Sequence, residues 1–154
     1  MKRGSHVTVR LKILAKVQQN KTVSPKLDVL LDSGAFRSCI SAEFARSCNF
    51  NVQKCQVKCD AIDASKRAMK FAGEITASLI VDIDGDKVII ENIIFGILPV
   101  LSVEIIVGCD ILSMLNFGLD AESVYLGKFK IPRVLHSVLP SSENMTEIKG
   151  SYSC

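Results

Sequence analysis

One acid in this chain stands where an acid is costly. Val29-Leu30-Leu31-Asp32-Ser33-Gly34-Ala35 runs three apolar residues into a carboxylate, a hydroxyl and two small residues. A carboxylate held in place can take a proton from water or return one to a leaving group, the work of a general base or acid. Asp-Ser-Gly is also ordinary turn chemistry, because Asp and Ser bond their own backbone and Gly accepts positive φ. The flanks must decide between the two. A second segment, Ile105-Ile106-Val107-Gly108, repeats the pattern of an aliphatic strand ending in glycine, and both segments lead into helical signals. Other reactive side chains lack company. G-x-S-x-G is absent, and neither His6 nor His136 stands near a nucleophile motif. Spacing alone leaves Cys39 with His136 open as a cysteine nucleophile and its base, with nothing to orient them. Cys55-x-x-x-Cys59 has no nearby histidine to complete a zinc site. The triple Asp82, Asp84, Asp86 fails as a calcium loop, since the required glycine position holds Lys87 and the twelfth holds Ile93. No metal and no cofactor is expected.

The chain has 154 residues, 48% hydrophobic and 23% charged, the proportions of one globular domain with a real core. A net charge of +3 argues against nucleic acid as a partner. Lys2, Arg3, Arg10, Lys12, Lys16, Lys21 and Lys26 precede the first acid, but they alternate with Val7, Val9, Leu11 and Ile13 and read as the wet face of a strand. Met1 to Arg10 has no apolar core of a signal peptide. The apolar stretch Ile93 to Val103 contains Pro99 and lies between Glu91 and Glu104, so no membrane span is expected. The six cysteines then read as free thiols of a reducing, intracellular compartment. The sequons at Asn20 and Asn144 carry no meaning there.

Strands must position the acid. Residues 6–14 alternate polar and apolar, a polar loop follows around Asn20 to Pro25, and 26–32 form the strand that ends on Asp32. Residues 41–50 read as a helix capped by Ser41, with Phe44, Ala45 and Cys48 on one face. Residues 74–98 read as two long strands around an Asp84-Gly85 turn. Residues 103–118 give a β-branched strand, a break at Gly108 and one or two helical turns, and 122–132 a closing hairpin. The expected class is all-β with one or two short helices.

With both apolar-apolar-Gly segments in this order, the sequence resembles the retropepsins, the single-domain aspartic proteases of retroviruses and retrotransposons. Asp32-Ser33-Gly34-Ala35 matches their catalytic loop, and Ile106-Val107-Gly108 with Ile111-Leu112 matches the segment threading behind it. The resemblance runs from about Val7 to Pro132. It implies a closed acid-protease barrel forming one half of a homodimer: a flexible N-terminus over 1–6, the protease domain over 7–136 and a polar tail over 137–154. It implies a peptide bond hydrolysed by two carboxylates sharing one proton, the second being Asp32 of another copy. Ser33 would bond across the axis, and Gly34 would let backbone N–H groups reach the carboxylate. Leu30, Gly34, Ala35 and Ile106 would face the polypeptide substrate, together with Ile62, Asp63 and Ala64 from a flap within residues 60–74. That flap lacks glycine before Gly73, a departure from the family pattern.

A second departure concerns an ion pair. Retroviral members often carry Asp after the D-[S/T]-G-A stretch and Arg after the second glycine, where this chain has Phe36 and Cys109. Losing both partners can be neutral, so an apolar Phe36–Cys109 contact is expected in their place. The pattern points to a retrotransposon protease, acting in the cytoplasm or a virus-like particle, or to a cellular relative. Residues 32–50 also look like the start of the protease-like domain of the DNA-damage-inducible ubiquitin shuttle proteins. A catalytically silent dimerisation or binding module of the same fold is the rival from another class.

Overall fold

The computed structural model describes residues 9–55, 61–62, 68–83 and 85–134, with the backbone alone at 61, 62, 68, 69 and 83. The expected N-terminus 1–6 and tail 137–154 lie outside the described residues, as do Asp63, Ala64, Asp84 and His136.

Alternation builds the first strand. In β1 (Arg10–Gln19), Leu11, Ile13, Ala15 and Val17 are buried while Arg10, Lys12, Leu14 and Lys16 are less so. The strand runs past the expected end at Leu14 because it has partners along its whole length. Arg10–Ala15 pair antiparallel with β3 (Leu27–Asp32), and Lys16–Gln18 pair with β7 (Gly73–Ile83). The loop expected over Asn20–Pro25 is correspondingly narrower. Asn20 turns the chain at φ 55, a left-handed conformation that Asn tolerates, and β2 (Thr22–Val23) pairs back onto Gln18 and Gln19.

From β3 the sheet continues through β9 (Ile105–Val107), β4 (Cys39–Ser41), β8 (Asp86–Leu98) and β7. The β7–β1 pairing then closes a six-stranded barrel, with β2 outside the ring. The fold is thus all-β with two short helices, as expected. Helix α1 (Ala42–Ser47) starts at Ser41, whose hydroxyl accepts from the Phe44 N–H, and it lays Phe44, Ala45 and Cys48 on the core. Helix α2 (Cys109–Leu112) follows β9 directly. The register of the long β7–β8 hairpin shifts between Ala77 and Leu79, where Asn92 at φ 60 takes up the extra residue.

The closing hairpin of β11 (Ser123–Leu126) and β12 (Phe129–Pro132) is joined by β10 (Gly118–Leu119) on the β11 side in a separate three-stranded sheet. Val124, Leu126 and Ile131 join the main core, and the Val134 N–H bonds the Lys12 carbonyl at 2.8 Å. A smaller apolar cluster of Leu30, Ala35, Cys39, Leu98 and Ile106 lies apart from that core. Between residues 55 and 73, β5 (Ala61–Ile62) and β6 (Ala68–Met69) form a two-stranded hairpin. No helix among the described residues is long and apolar enough to cross a membrane.

Candidate active site

Strand alternation decides where Asp32 goes. Leu31 points into the main core, so Leu30 and Asp32 share the opposite face, that of the smaller cluster. Asp32 is the last residue of β3 and only 3% exposed. Its Oδ1 accepts from the Gly34 N–H at 2.8 Å, and its Oδ2 lies 3.3 Å from Nε of Arg10, the residue directly opposite in the β1–β3 register. Ser33 is bound to the chain on both sides: its N–H donates to the Val9 carbonyl at 3.0 Å, and its Oγ accepts from the Val9 N–H at 2.8 Å. Gly34 is exposed and contributes the N–H that reaches the carboxylate.

Parallel pairing of Leu30 with Ile106 and Leu31 with Val107 brings the second glycine segment behind this loop. The fit is close. A Cβ on Gly108 would lie 2.4 Å from the Ala35 carbonyl oxygen and 2.9 Å from Arg37 backbone atoms, so only glycine lets the two segments meet. The Cys109 N–H donates to that same Ala35 oxygen at 2.7 Å. Ser38 ties the rest. Its hydroxyl donates to Asp110 Oδ1 at 2.8 Å and accepts from the Gly108 N–H at 3.1 Å, while its backbone N–H donates to Asp110 Oδ2 at 3.0 Å.

Burial pushes the Asp110 carboxyl above its ordinary value of 3.8, against the hydrogen bonds from Ser38 and Ile111 and the Arg37 charge, which pull it down. The folded chain therefore holds this proton more tightly than the unfolded chain. The stability so contributed is full below 3.8 and is lost as pH rises through the native value. Asp110→Asn removes that component. Urea unfolding of the variant should show a shallower fall in stability than wild type as pH is raised upward from 3.8; parallel curves would refute the assignment.

Leu30, Ala35 and Ile106, named above as substrate-facing, come together in the smaller cluster and are at most 1% exposed. Partly buried Phe36, Phe71, Leu101 and Val103 pack over them. Leu101 and Val103 escaped the sequence reading, hidden in a run with no alternation. Ile62 lies in β5 of the flap-like hairpin, paired with Ala68.

Arg37 and Glu74 also escaped it. Two residues after Ala35, the Arg37 guanidinium is buried, its Nη2 3.1 Å from Glu74 Oε2 at the start of β7, and its Cζ stands 4.5 Å over the Phe71 ring. The ion pair missing at Phe36 and Cys109 thus has a counterpart one residue along the loop, with its acid supplied by a different strand. Phe36 packs on the smaller cluster, and Cys109 is disulfide-bonded, which corrects the expectation of a free thiol there. Residue spacing cannot reveal such a bond, which depends on where distant cysteines meet in space. Cys39, Cys48 and Cys55 are reduced thiols. Among the described residues no group of three or more His, Cys, Asp or Glu side chains could hold a metal ion.

Solved structures of known proteins are similar to this chain. The retroviral protease-like domain of Ddi1 from Leishmania major superposes with a TM-score of 0.58 at 17% identity, over 87% of this chain and 100% of that one. EIAV protease complexed with the inhibitor HBY-793 gives 0.46 at 16% identity, over 79% and 100%. A retropepsin-like aspartic protease from Rickettsia conorii gives 0.42 at 16%, over 79% and 92%. No curated protein matches the chain in sequence. Residues 16–131, most of the domain and all of the loop around Asp32, match the family described as retroviral aspartyl protease, and the chain belongs to that family.

Proposed function

We propose that the chain is one protomer of a homodimeric aspartic endopeptidase. The observation that carries this reading is the Asp32 carboxylate, buried at a strand end and bonded by the Gly34 N–H within a chain of this family. One chain offers one Asp-Ser-Gly, so the second carboxylate is Asp32 of another copy across a two-fold axis. Ser33, whose oxygen already accepts from Val9, keeps its O–H to donate across that axis. Water between the two acids gives a proton to one as its oxygen attacks the scissile carbonyl carbon. The other acid protonates the carbonyl oxygen. Collapse of the resulting diol breaks the C–N bond, and the amine leaves with a proton. The small cluster of Leu30, Ala35 and Ile106 would floor the substrate groove, and the β5–β6 hairpin would close it.

Phe36 and Cys109, in place of the Asp and Arg frequent in retroviral enzymes, favour a retrotransposon polyprotein or a cellular polypeptide as substrate. A reverse transcriptase in the neighbouring reading frame would indicate the first, an upstream ubiquitin-like domain the second. A silent module would have no need of the buried acid.

A dimer that shares its site loses activity on dilution. Total peptide cleavage should fall faster than linearly as the protein is diluted through its dissociation range, in step with sedimentation. Full activity in a species that sediments as a monomer would overturn the dimeric reading.

A further inference from the structure

We infer that Arg37 is a positioning residue that fixes the root of the β5–β6 hairpin to the catalytic loop, and that substrate binding depends on this tie. The inference rests on the endopeptidase reading for its kinetic arm only. Arg37 follows Asp32-Ser33-Gly34-Ala35-Phe36 in sequence and is 2% exposed. Both of its side-chain contacts described above belong to the segment that leaves the hairpin: Phe71 stands two residues after β6, and Glu74 lies at the start of β7.

The tie is built in layers. The guanidinium donates to the Glu74 carboxylate on one side and lies over the Phe71 ring on the other, and the ring itself packs on the cluster that floors the loop. Strand β8 passes so near that a Cβ on Gly96 would sit 2.6 Å from the Phe71 ring and 2.9 Å from Arg37 Cζ. The backbone follows the same course, since the Gly96 N–H bonds the Ser38 carbonyl and the Ala72 N–H bonds the Ile97 carbonyl. A fully buried cation is an expensive way to fill space, and an apolar residue would fill it at lower cost. Arg37 differs from such a residue in fixing direction: its planar fork and flat face set where Glu74 and Phe71 stand relative to Asp32.

The test separates this positioning from plain stability. Arg37→Met combined with Glu74→Leu removes both charges together, and Phe71→Leu removes only the ring face. Ile131→Val, in the core under β12 and away from the tie, is the structural control. Steady-state hydrolysis of a peptide, measured well below each variant's melting temperature, should show KM raised about ten-fold in the double variant and in Phe71→Leu, with kcat changed far less. Ile131→Val should leave KM at the wild-type value. Hydrogen exchange should quicken at Ala61, Ile62, Ala68 and Met69 in the same two variants. Unchanged KM in an active double variant overturns the inference, as does a KM equally raised by Ile131→Val. If wild type cleaves no peptide, the endopeptidase reading fails by itself, and exchange then decides: unchanged rates at the four hairpin amides overturn the tie.

Discussion

Asp32→Asn should abolish peptide hydrolysis and leave the barrel folded. The amide keeps the size of the carboxylate, and its oxygen still accepts from the Gly34 N–H, so the loop has no reason to move. The ion pair with Arg10 is lost, but Arg10 is partly exposed and water replaces much of that attraction, which limits the cost to about 1 kcal/mol or less. Catalysis loses far more, because an amide can neither take the proton of water nor carry the shared one. A loss of at least about 10²- to 10⁴-fold is expected. Mixing supplies a stricter check. In the proposed dimer, exchange of variant chains into wild type would leave pairs with one carboxylate, so activity should fall further than simple dilution of active chains predicts. Cleavage by purified Asp32→Asn at a rate near wild type would make Asp32 a turn residue and end the aspartic reading.

The largest effect on stability is expected at the Arg37–Glu74 pair. Their side chains are 2% and 0% exposed, so truncating either leaves the other as a charge in the interior. Arg37→Met or Glu74→Leu alone should cost about 3–5 kcal/mol in urea unfolding, a large share of the stability of a domain this size. Made together, the two changes should cost much less than the sum, since no buried charge is left without its counter-charge. Glu74→Gln, which keeps an oxygen for Nη2, provides an intermediate case should the truncations fail to fold. Additive losses across the cycle would show that the two groups do not depend on each other.

The same pair shows where sequence reading stops. Alternation in β1, the Ser41 cap of α1, the aliphatic approach to Asp32 and the break at Gly108 are local patterns, and each was legible from neighbouring residues. So was the catalytic candidate, because Asp-Ser-Gly and the second glycine segment are both contiguous. Arg37 and Glu74 lie 37 positions apart, and Ser38 and Asp110 lie 72 apart. Nothing around either residue of such a pair announces the other. The far end of β1 escaped for a related reason: Lys16 to Gln18 stay extended because β7 pairs with them, and that partner comes from much later in the chain.

The parallel pairing of β3 with β9 also sets an order of assembly. The β7–β8 hairpin joins consecutive segments and can zip within microseconds of collapse. The bed of the carboxylate cannot, because Ser38 and Gly108, whose hydrogen bond locks it, lie 70 positions apart, and long-range closure of this kind is the slow part of folding. During synthesis the acid emerges early and its support late. A nascent chain carries Asp32 well before it has β9 to hold the loop, so nothing it meets on the ribosome encounters a finished site.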